Sequence, residues 1–186
     1  ANMKIIYNGI GITNYVTDTS YDYNGNINIE IRGNYSQILP QKPYKIETLN
    51  PALEDTNVSL LGMPAESDWA LLANYNDKVF MRNQLAYNLF SQMGHYAGRT
   101  KHCEVLINGR YQGVFLLSET IKRDNNRVDI SKLTPDENTG LDLTGGYIIK
   151  NDYWNTTTGW QLANSPIDHP GLVVGLAYHY PKSDNI

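Results

Sequence analysis

The dipeptide Asn108-Gly109 is the feature that most constrains how this chain can fold. Asn followed by Gly accepts the two positive φ angles of a type I′ turn, which joins two antiparallel strands through a two-residue loop. Strand-like runs flank it at residues 103–107 and 111–117. Residues 114–117 are apolar on both faces, which is typical of an interior strand. The dipeptide therefore predicts a β-hairpin whose second strand lies inside a sheet.

A helix is predicted shortly before this hairpin. Its start can be capped by Asn76 or Asp77, and Gly94 ends it. Its apolar side chains recur every four residues, as on one face of a helix. They are Met81, Leu85 and Leu89, joined by Ala86, Phe90 and Met93.

Further strands are predicted on both sides of this central block. Residues 27–32 alternate strictly, which directs Ile27, Ile29 and Ile31 to one face. Residues 42–47 alternate as well, and Pro43 places them at a sheet edge or at a strand start. Other strand-like runs cover residues 3–7, 147–150 and 172–180, whereas residues 48–67 read as a loop with at most one short turn. The order of elements indicates an α+β fold with a mostly antiparallel sheet and one main helix, in a single domain over residues 1–186.

Composition narrows the class of protein. With 41% apolar and 18% charged residues and a net charge of −4, the 186-residue chain is globular, and it lacks the clustered basic face expected of a nucleic-acid-binding protein. We expect no membrane span, because no apolar run is long enough. A single cysteine, Cys103, excludes an intrachain disulfide.

Four charged residues are candidates for a binding site. Lys42 and Lys45 can neutralise phosphate from the predicted sheet, although solvated lysines are the commoner case. Arg82 lies in the first helical turn, where a cation opposes the helix dipole, so it either pairs with Asp77 or Glu119 or is an ordinary surface arginine, which is the commoner case. Glu119 ends an apolar strand, where it can pair a cation, contact a nucleotide or simply mark the exit into solvent.

Other chemistry finds little support in the sequence. The four histidines are scattered, so no metal site is predicted. No nucleophile motif surrounds Ser118 or Cys103. Tyr153, Trp154 and Trp160 suit either a sugar-stacking platform or local packing.

Several blocks in order resemble the amino-terminal part of the spore-coat protein H (CotH) kinase family, over about residues 27–152. The resemblance lies in Ile31-Arg32-Gly33-Asn34-Tyr35-Ser36, Lys42-Pro43-Tyr44-Lys45-Ile46, Asp68-Trp69-Ala70-Leu71-Leu72-Ala73-Asn74-Tyr75 with Asp77 and Arg82-Asn83, the run from Leu106 to Glu119, and Gly145-Gly146-Tyr147-Ile148-Ile149-Lys150.

The resemblance implies a kinase-like two-lobed fold that uses ATP with magnesium to phosphorylate protein hydroxyls, in secreted or envelope-associated proteins. Within it this chain resembles the small lobe. Lys42 or Lys45 would hold the nucleotide phosphates, Arg82 would belong to the polar network beside the helix, and Glu119 would lie at the adenine end. Phosphoryl transfer depends mainly on positioning and charge neutralisation, which a lysine on a rigid strand supplies.

Two departures from the family pattern shape the prediction. Tyr35 stands where the family usually has a hydroxyl residue. No Asn-x-Asp or Trp-Asp-x-Asp segment is present for the catalytic and metal-binding aspartates, so no catalytic residue is assigned. The chain is therefore predicted to be a piece of a larger kinase domain, inactive in isolation. The alternative is a non-catalytic envelope or secreted module that binds protein or glycan.

Overall fold

Antiparallel strands dominate the computed structural model, which describes residues 1–137, 139–152, 159–165 and 167–182. Contacts divide the chain into two compact units, Ala1–Ile121 and Lys122–Ile186. The first unit contains β1 (Asn2–Ile5), β2 (Tyr23–Ile31), β3 (Tyr44–Leu49), β4 (Val58–Leu60), β5 (Met63–Glu66), β6 (Asp68–Leu72), α1 (Arg82–Gln92), β7 (Thr100–Ile107) and β8 (Arg110–Glu119). The second contains β9 (Ile148–Lys150), β10 (Gly159–Gln161) and β11 (Gly175–Tyr180).

A six-stranded sheet in the order β1-β2-β3-β6-β8-β7 organises the first unit, and every neighbouring pair is antiparallel. With one α-helix among the described residues, this confirms a strand-rich α+β fold. β8 is an interior strand, as its apolar sequence predicts. β3 begins directly after Pro43 and lies between β2 and β6, so the proline marks a strand start.

The turn at Asn108-Gly109 forms as predicted. Asn108 and Gly109 have φ angles of 50° and 75°, and Ile107 pairs with Arg110 across the turn. Both positive angles are those that a type I′ turn requires.

A second hairpin of the same kind occupies part of residues 48–67, where a loop was predicted, and that prediction is wrong. β4 pairs with β5, and Leu60 lies opposite Met63 across a turn formed by Leu61 and Gly62. These turn residues have φ angles of 53° and 74°. Leucine rarely takes a positive φ, so the Leu-Gly dipeptide does not signal a turn as Asn-Gly does.

The core of the first unit lies on one face of the large sheet. Leu60 and Met63 of the second hairpin pack against it, together with buried apolar side chains from four strands of the sheet. The buried members are Ile27, Ile46, Leu60, Met63, Trp69, Leu71, Phe115 and Leu117. The β4–β5 hairpin, which the sequence analysis did not predict, thus packs against the core face of the large sheet.

Fewer isoleucines of β2 are buried than the alternation of this strand suggests. Ile27 is buried, but Ile29 and Ile31 are 37% and 49% exposed although they follow the same alternation. Alternation fixes which residues share a face and not how much of that face is covered. The core therefore extends along only part of this strand.

Helix α1 has no buried residue. Its apolar side chains Leu85, Leu89 and Phe90 are each about half exposed. It begins at Arg82 and Gly94 follows its end with a φ of 85°, in agreement with the predicted stop. The four-residue repeat therefore predicted the helix correctly without indicating its environment.

The second unit contains a three-stranded antiparallel sheet in the order β10-β11-β9. Leu133 and Ala177 are buried residues of this unit, and the Leu133 N–H donates a 2.9 Å hydrogen bond to the Tyr180 hydroxyl. β11 is shorter than the predicted strand over residues 172–180. Among the described residues, no helix is long and apolar enough to cross a membrane.

Cys103 provides a test of the packing of β7. Burial raises the pKa of its thiol from 9.0 to about 11. Since the thiolate is the reactive form, we expect iodoacetamide at pH 8 to label the folded protein about a hundredfold more slowly than the urea-unfolded protein. Mass spectrometry over time measures both rates, and equal rates would contradict the burial of this side chain.

Candidate functional site

The register of β2, β3 and β6 places a group of charged side chains around Lys45. Lys45 is the Cα partner of Glu30 on β2 and of Ala70 on β6, and Glu47 is the partner of Asp68. Directly paired residues share a face of the sheet, as do residues two apart on one strand. Glu30, Lys45, Glu47 and Asp68 therefore lie on one face, opposite the core.

Three carboxylates surround the Lys45 ammonium. It donates a short hydrogen bond to Glu47 and lies 3.9 Å from Asp68 Oδ1 and 4.0 Å from Glu30 Oε1. The hydrogen bond to Glu47 is the main reason that the pKa of Lys45 is raised above its ordinary value of 10.5. Lys45 is therefore a fixed cation throughout the physiological pH range, and its side chain is still 37% exposed.

Lys42 has a different environment. Its Nζ donates a 2.6 Å hydrogen bond to the carbonyl oxygen of Gln37, in the short 3₁₀ turn Tyr35–Ile38 that precedes β3. The contact links the lysine to the polar loop that begins at Gly33, where φ is 90°. Among the described residues of the first unit, the two candidate lysines thus share no hydrogen-bond or ion-pair partner.

Arg82 is the first residue of α1 and pairs with Asp77, one of its two predicted partners. Its backbone N–H donates a 2.8 Å hydrogen bond to Asp77 Oδ2, and its Nε lies 3.6 Å from Oδ1. The backbone N–H of Arg82 is the main cause of a lowered pKa for Asp77, whose carboxylate also accepts the Val79 N–H. The Arg82 side chain itself is 77% exposed.

Glu119 pairs with Arg99. Its fully buried carboxylate accepts 2.8 Å hydrogen bonds from the Arg99 backbone N–H and from Arg99 Nη1, and a 3.3 Å bond from the Tyr96 hydroxyl. Glu119 follows Ser118, which belongs to the Lys45 face through Ala70. Alternation places Glu119 on the opposite face.

The four predicted site residues therefore do not form one cluster. Lys45 belongs to a carboxylate group, Lys42 to the loop before β3, Arg82 to the start of α1, and Glu119 to a buried ion pair. A contact of each of them with a nucleotide stays a prediction. The sequence did not reveal the partners Glu30, Glu47, Asp68, Arg99 and Tyr96. The one available signal was the alternation of residues 42–47, which places Glu47 on the same face of the strand as Lys45.

The aromatic residues proposed as a sugar platform are only partly described. Trp160 on β10 lies 5.0 Å from the ring of Tyr178 on β11, at an interplanar angle of 50°. A tilted pair of this kind is a common packing contact. Tyr153 and Trp154 lie outside the described residues.

The described part of the chain contains no set of side chains arranged to bind magnesium. No group of three or more His, Cys, Asp or Glu side chains there is arranged to hold a metal ion. The carboxylates around Lys45 hold an ammonium group, so they do not fit as magnesium ligands. Lysine and arginine do suit the phosphates of ATP, because a cation neutralises phosphate charge.

Comparison with known families identifies the chain. No curated protein matches it. The family model described as CotH kinase protein matches residues 29–169, a span that begins in β2 and continues beyond β10. The match covers more than half of the chain and includes every candidate residue discussed above, and the chain therefore belongs to the CotH kinase family.

Proposed function

We propose that this chain supplies the nucleotide-contacting part of a protein kinase domain, with Lys45 as the residue that contacts the phosphates of ATP. Membership of the family supports a kinase-like function. The observation that carries the proposal is the position of Lys45, a permanent cation on an interior strand of the sheet. Phosphoryl transfer is catalysed largely by positioned charge, and an interior strand positions a charge well.

The arrangement of elements supports a small-lobe role. A helix between β6 and β7, followed by a tight hairpin into an interior strand, is the order expected for the small lobe of a kinase. Three carboxylates hold the Lys45 ammonium, which keeps its side chain close to the sheet. We propose that nucleotide phosphate replaces part of this carboxylate contact.

The acceptor in this proposal is a protein hydroxyl, and the catalytic aspartates come from outside this sequence. The isolated chain is then a binding part without phosphoryl-transfer activity. Secretion or an envelope location is a further prediction that follows from the family.

Replacement of Lys45 tests this function. We expect ATP to raise the melting temperature of a protein that includes the complete kinase domain, and Lys45→Met to weaken ATP binding about tenfold, the effect of one charge-assisted hydrogen bond. Lys42→Met measures the contribution of the other candidate. Lys101→Met, which removes an exposed lysine from edge strand β7, is the matched control.

Binding is measured by thermal shift and by isothermal titration calorimetry. Equal ATP affinity in the wild type and in the Lys45 and Lys42 variants would contradict the proposed phosphate contact.

A further inference from the structure

A cavity of about 630 Å³ lies over the core face of the large sheet. The two edge strands of that sheet, β1 and β7, both line it although they stand at opposite ends of the strand order. Ile46, Leu71 and Leu117 from the interior strands β3, β6 and β8 line it as well. A sheet whose two edges reach the same cavity is curved toward a barrel that it does not close. The cavity therefore separates two unpaired strand edges.

The side chains on the walls of this cavity are apolar and only partly buried. Met3 and Ile5 on β1 and Cys103 and Val105 on β7 pack against the core, but each keeps some exposed surface. Removing apolar surface from water is favourable. The cavity therefore favours apolar groups in its occupant.

The backbone of β1 offers hydrogen-bonding groups beside the cavity. An edge strand directs the N–H and C=O groups of alternate residues away from its single neighbour. The Ala1 nitrogen donates to the Ile27 carbonyl oxygen and the Ile27 N–H donates to the Ala1 carbonyl oxygen, each at 2.8 Å. Alternation from this pair directs the backbone groups of Lys4 away from β2. Since the Lys4 side chain lies on the outer face of the sheet, this residue lines the cavity through its backbone.

The backbone of β7 does the same on the other wall. The Glu119 N–H donates a 3.0 Å hydrogen bond to the Arg99 carbonyl oxygen at the start of the β7–β8 pair. Alternation from this pair directs the backbone groups of His102 and Glu104 away from β8, and both residues line the cavity. Within the described part of the first unit, these outward backbone groups have no hydrogen-bond partner.

The two walls together suit an extended peptide better than a lipid chain. An acyl chain would fill the apolar cavity but would bury the backbone groups of both walls without partners, which is unfavourable. A peptide strand supplies N–H and C=O groups to a sheet edge, and it directs alternate side chains into the cavity.

The outer face of the sheet indicates the charge of such a peptide. Its remaining side chains would lie between Glu104 of β7 and Lys4 of β1, both of which are exposed. The Tyr111 hydroxyl holds the Glu104 carboxylate on that face with a 2.8 Å hydrogen bond. Opposite charges on neighbouring strands attract, so a basic side chain suits the position beside Glu104 and an acidic one suits the position beside Lys4.

We propose that an extended peptide segment with alternating apolar and charged residues binds in this cavity as an added strand between β7 and β1. It runs antiparallel to β7, as do all neighbouring strands of this sheet. Its apolar side chains occupy the cavity, and its charged residues exchange backbone hydrogen bonds with His102 and Glu104. Lys45 lies on the opposite face of the sheet from the cavity, so this binding does not depend on the proposed contact with ATP.

Amide hydrogen exchange measured by NMR tests this mode of binding. The probe is a capped peptide of the sequence Lys-Val-Glu-Val-Lys-Val-Glu. We expect it to slow the exchange of the backbone N–H groups of Lys4, His102 and Glu104 by about tenfold or more. The N–H of Cys103 points toward β8 and should change little. Only an added strand protects alternate residues in this way.

Two altered peptides distinguish strand pairing from simple apolar binding. N-methylation of the lysine and glutamate backbone nitrogens removes the donors to β7, and exchange of the valines for serines removes the side chains that fill the cavity. Each change should abolish the protection. Absence of protection by the parent peptide at millimolar concentration would overturn the site, as would equal protection by either altered peptide.

Glu104→Pro tests the protein side of the contact. Proline removes the outward N–H, and an edge strand tolerates it where that N–H faces away from the sheet. We expect peptide affinity, measured by fluorescence anisotropy, to fall about tenfold or more. Glu104→Ala, which loses the carboxylate but keeps the N–H, should lose no more than about threefold. Equal losses would overturn the backbone pairing, and if circular dichroism shows that Glu104→Pro does not fold, the altered peptides decide the question.

Discussion

Leu60→Ala is expected to destabilise the protein by about 2–5 kcal/mol, the cost of truncating a fully buried leucine. Leu60 has no exposed surface and packs in the core formed by the large sheet and the β4–β5 hairpin. Its removal leaves a cavity that the surrounding sheet cannot close, because four strands of that sheet contribute buried side chains to the same core. Urea unfolding followed by circular dichroism and tryptophan fluorescence measures the loss.

Leu89→Ala is the matched control for this prediction. Leu89 belongs to the regular apolar repeat of α1, but it is 53% exposed. Leucine and alanine have similar helix propensities, so we expect a change within about 0.5 kcal/mol. A loss at Leu89 equal to that at Leu60 would show that the helix is buried and that the packing described above is incorrect.

Arg99→Leu is the second substitution with a large expected effect. It removes the guanidinium from the Glu119 carboxylate, whose side chain has no exposed surface. Breaking a buried ion pair from one side costs about 3–5 kcal/mol, and we expect about 3 kcal/mol because the Arg99 side chain is 47% exposed. The remaining bonds from the Arg99 N–H and the Tyr96 hydroxyl still stabilise the carboxylate.

The two partners should respond unequally. Glu119→Gln leaves a half-exposed arginine that water can solvate, so its cost should be smaller, about 1 kcal/mol. Lys101→Leu removes an exposed cation from the same region and controls for net charge. Urea unfolding of the three variants provides the comparison, and a larger cost for Glu119→Gln than for Arg99→Leu would contradict the assigned burial.

Local signals in the sequence predicted several elements correctly. Asn108-Gly109 specified its turn because both residues accept a positive φ, and Gly94 ended the helix for the same reason. Pro43 marked the start of β3, since proline cannot donate to a central strand of a sheet. Each of these features depends on residues that are adjacent in the chain.

The errors concern features that depend on distant residues. The Leu61-Gly62 turn takes unfavourable backbone angles at a leucine, which is compensated by the burial of Leu60 and Met63 on the large sheet. This compensation cannot be predicted from the residues next to the turn, because it depends on strands elsewhere in the chain. The exposure of Ile31 and Leu89 likewise depends on what covers them, which periodicity does not specify.

The sequence by itself determined the family, the main hairpin, the helix and the four charged candidates. Only the tertiary structure decided their partners: it paired Lys45 with Glu30, Glu47 and Asp68 across three strands, and it buried Glu119 against Arg99. The physical reason is that an ionised side chain is defined by the charges and solvent within a few ångströms of it. Except for Glu47, which lies two residues from Lys45 on β3, these neighbours come from other segments of the chain, so the tertiary structure decides which charges meet.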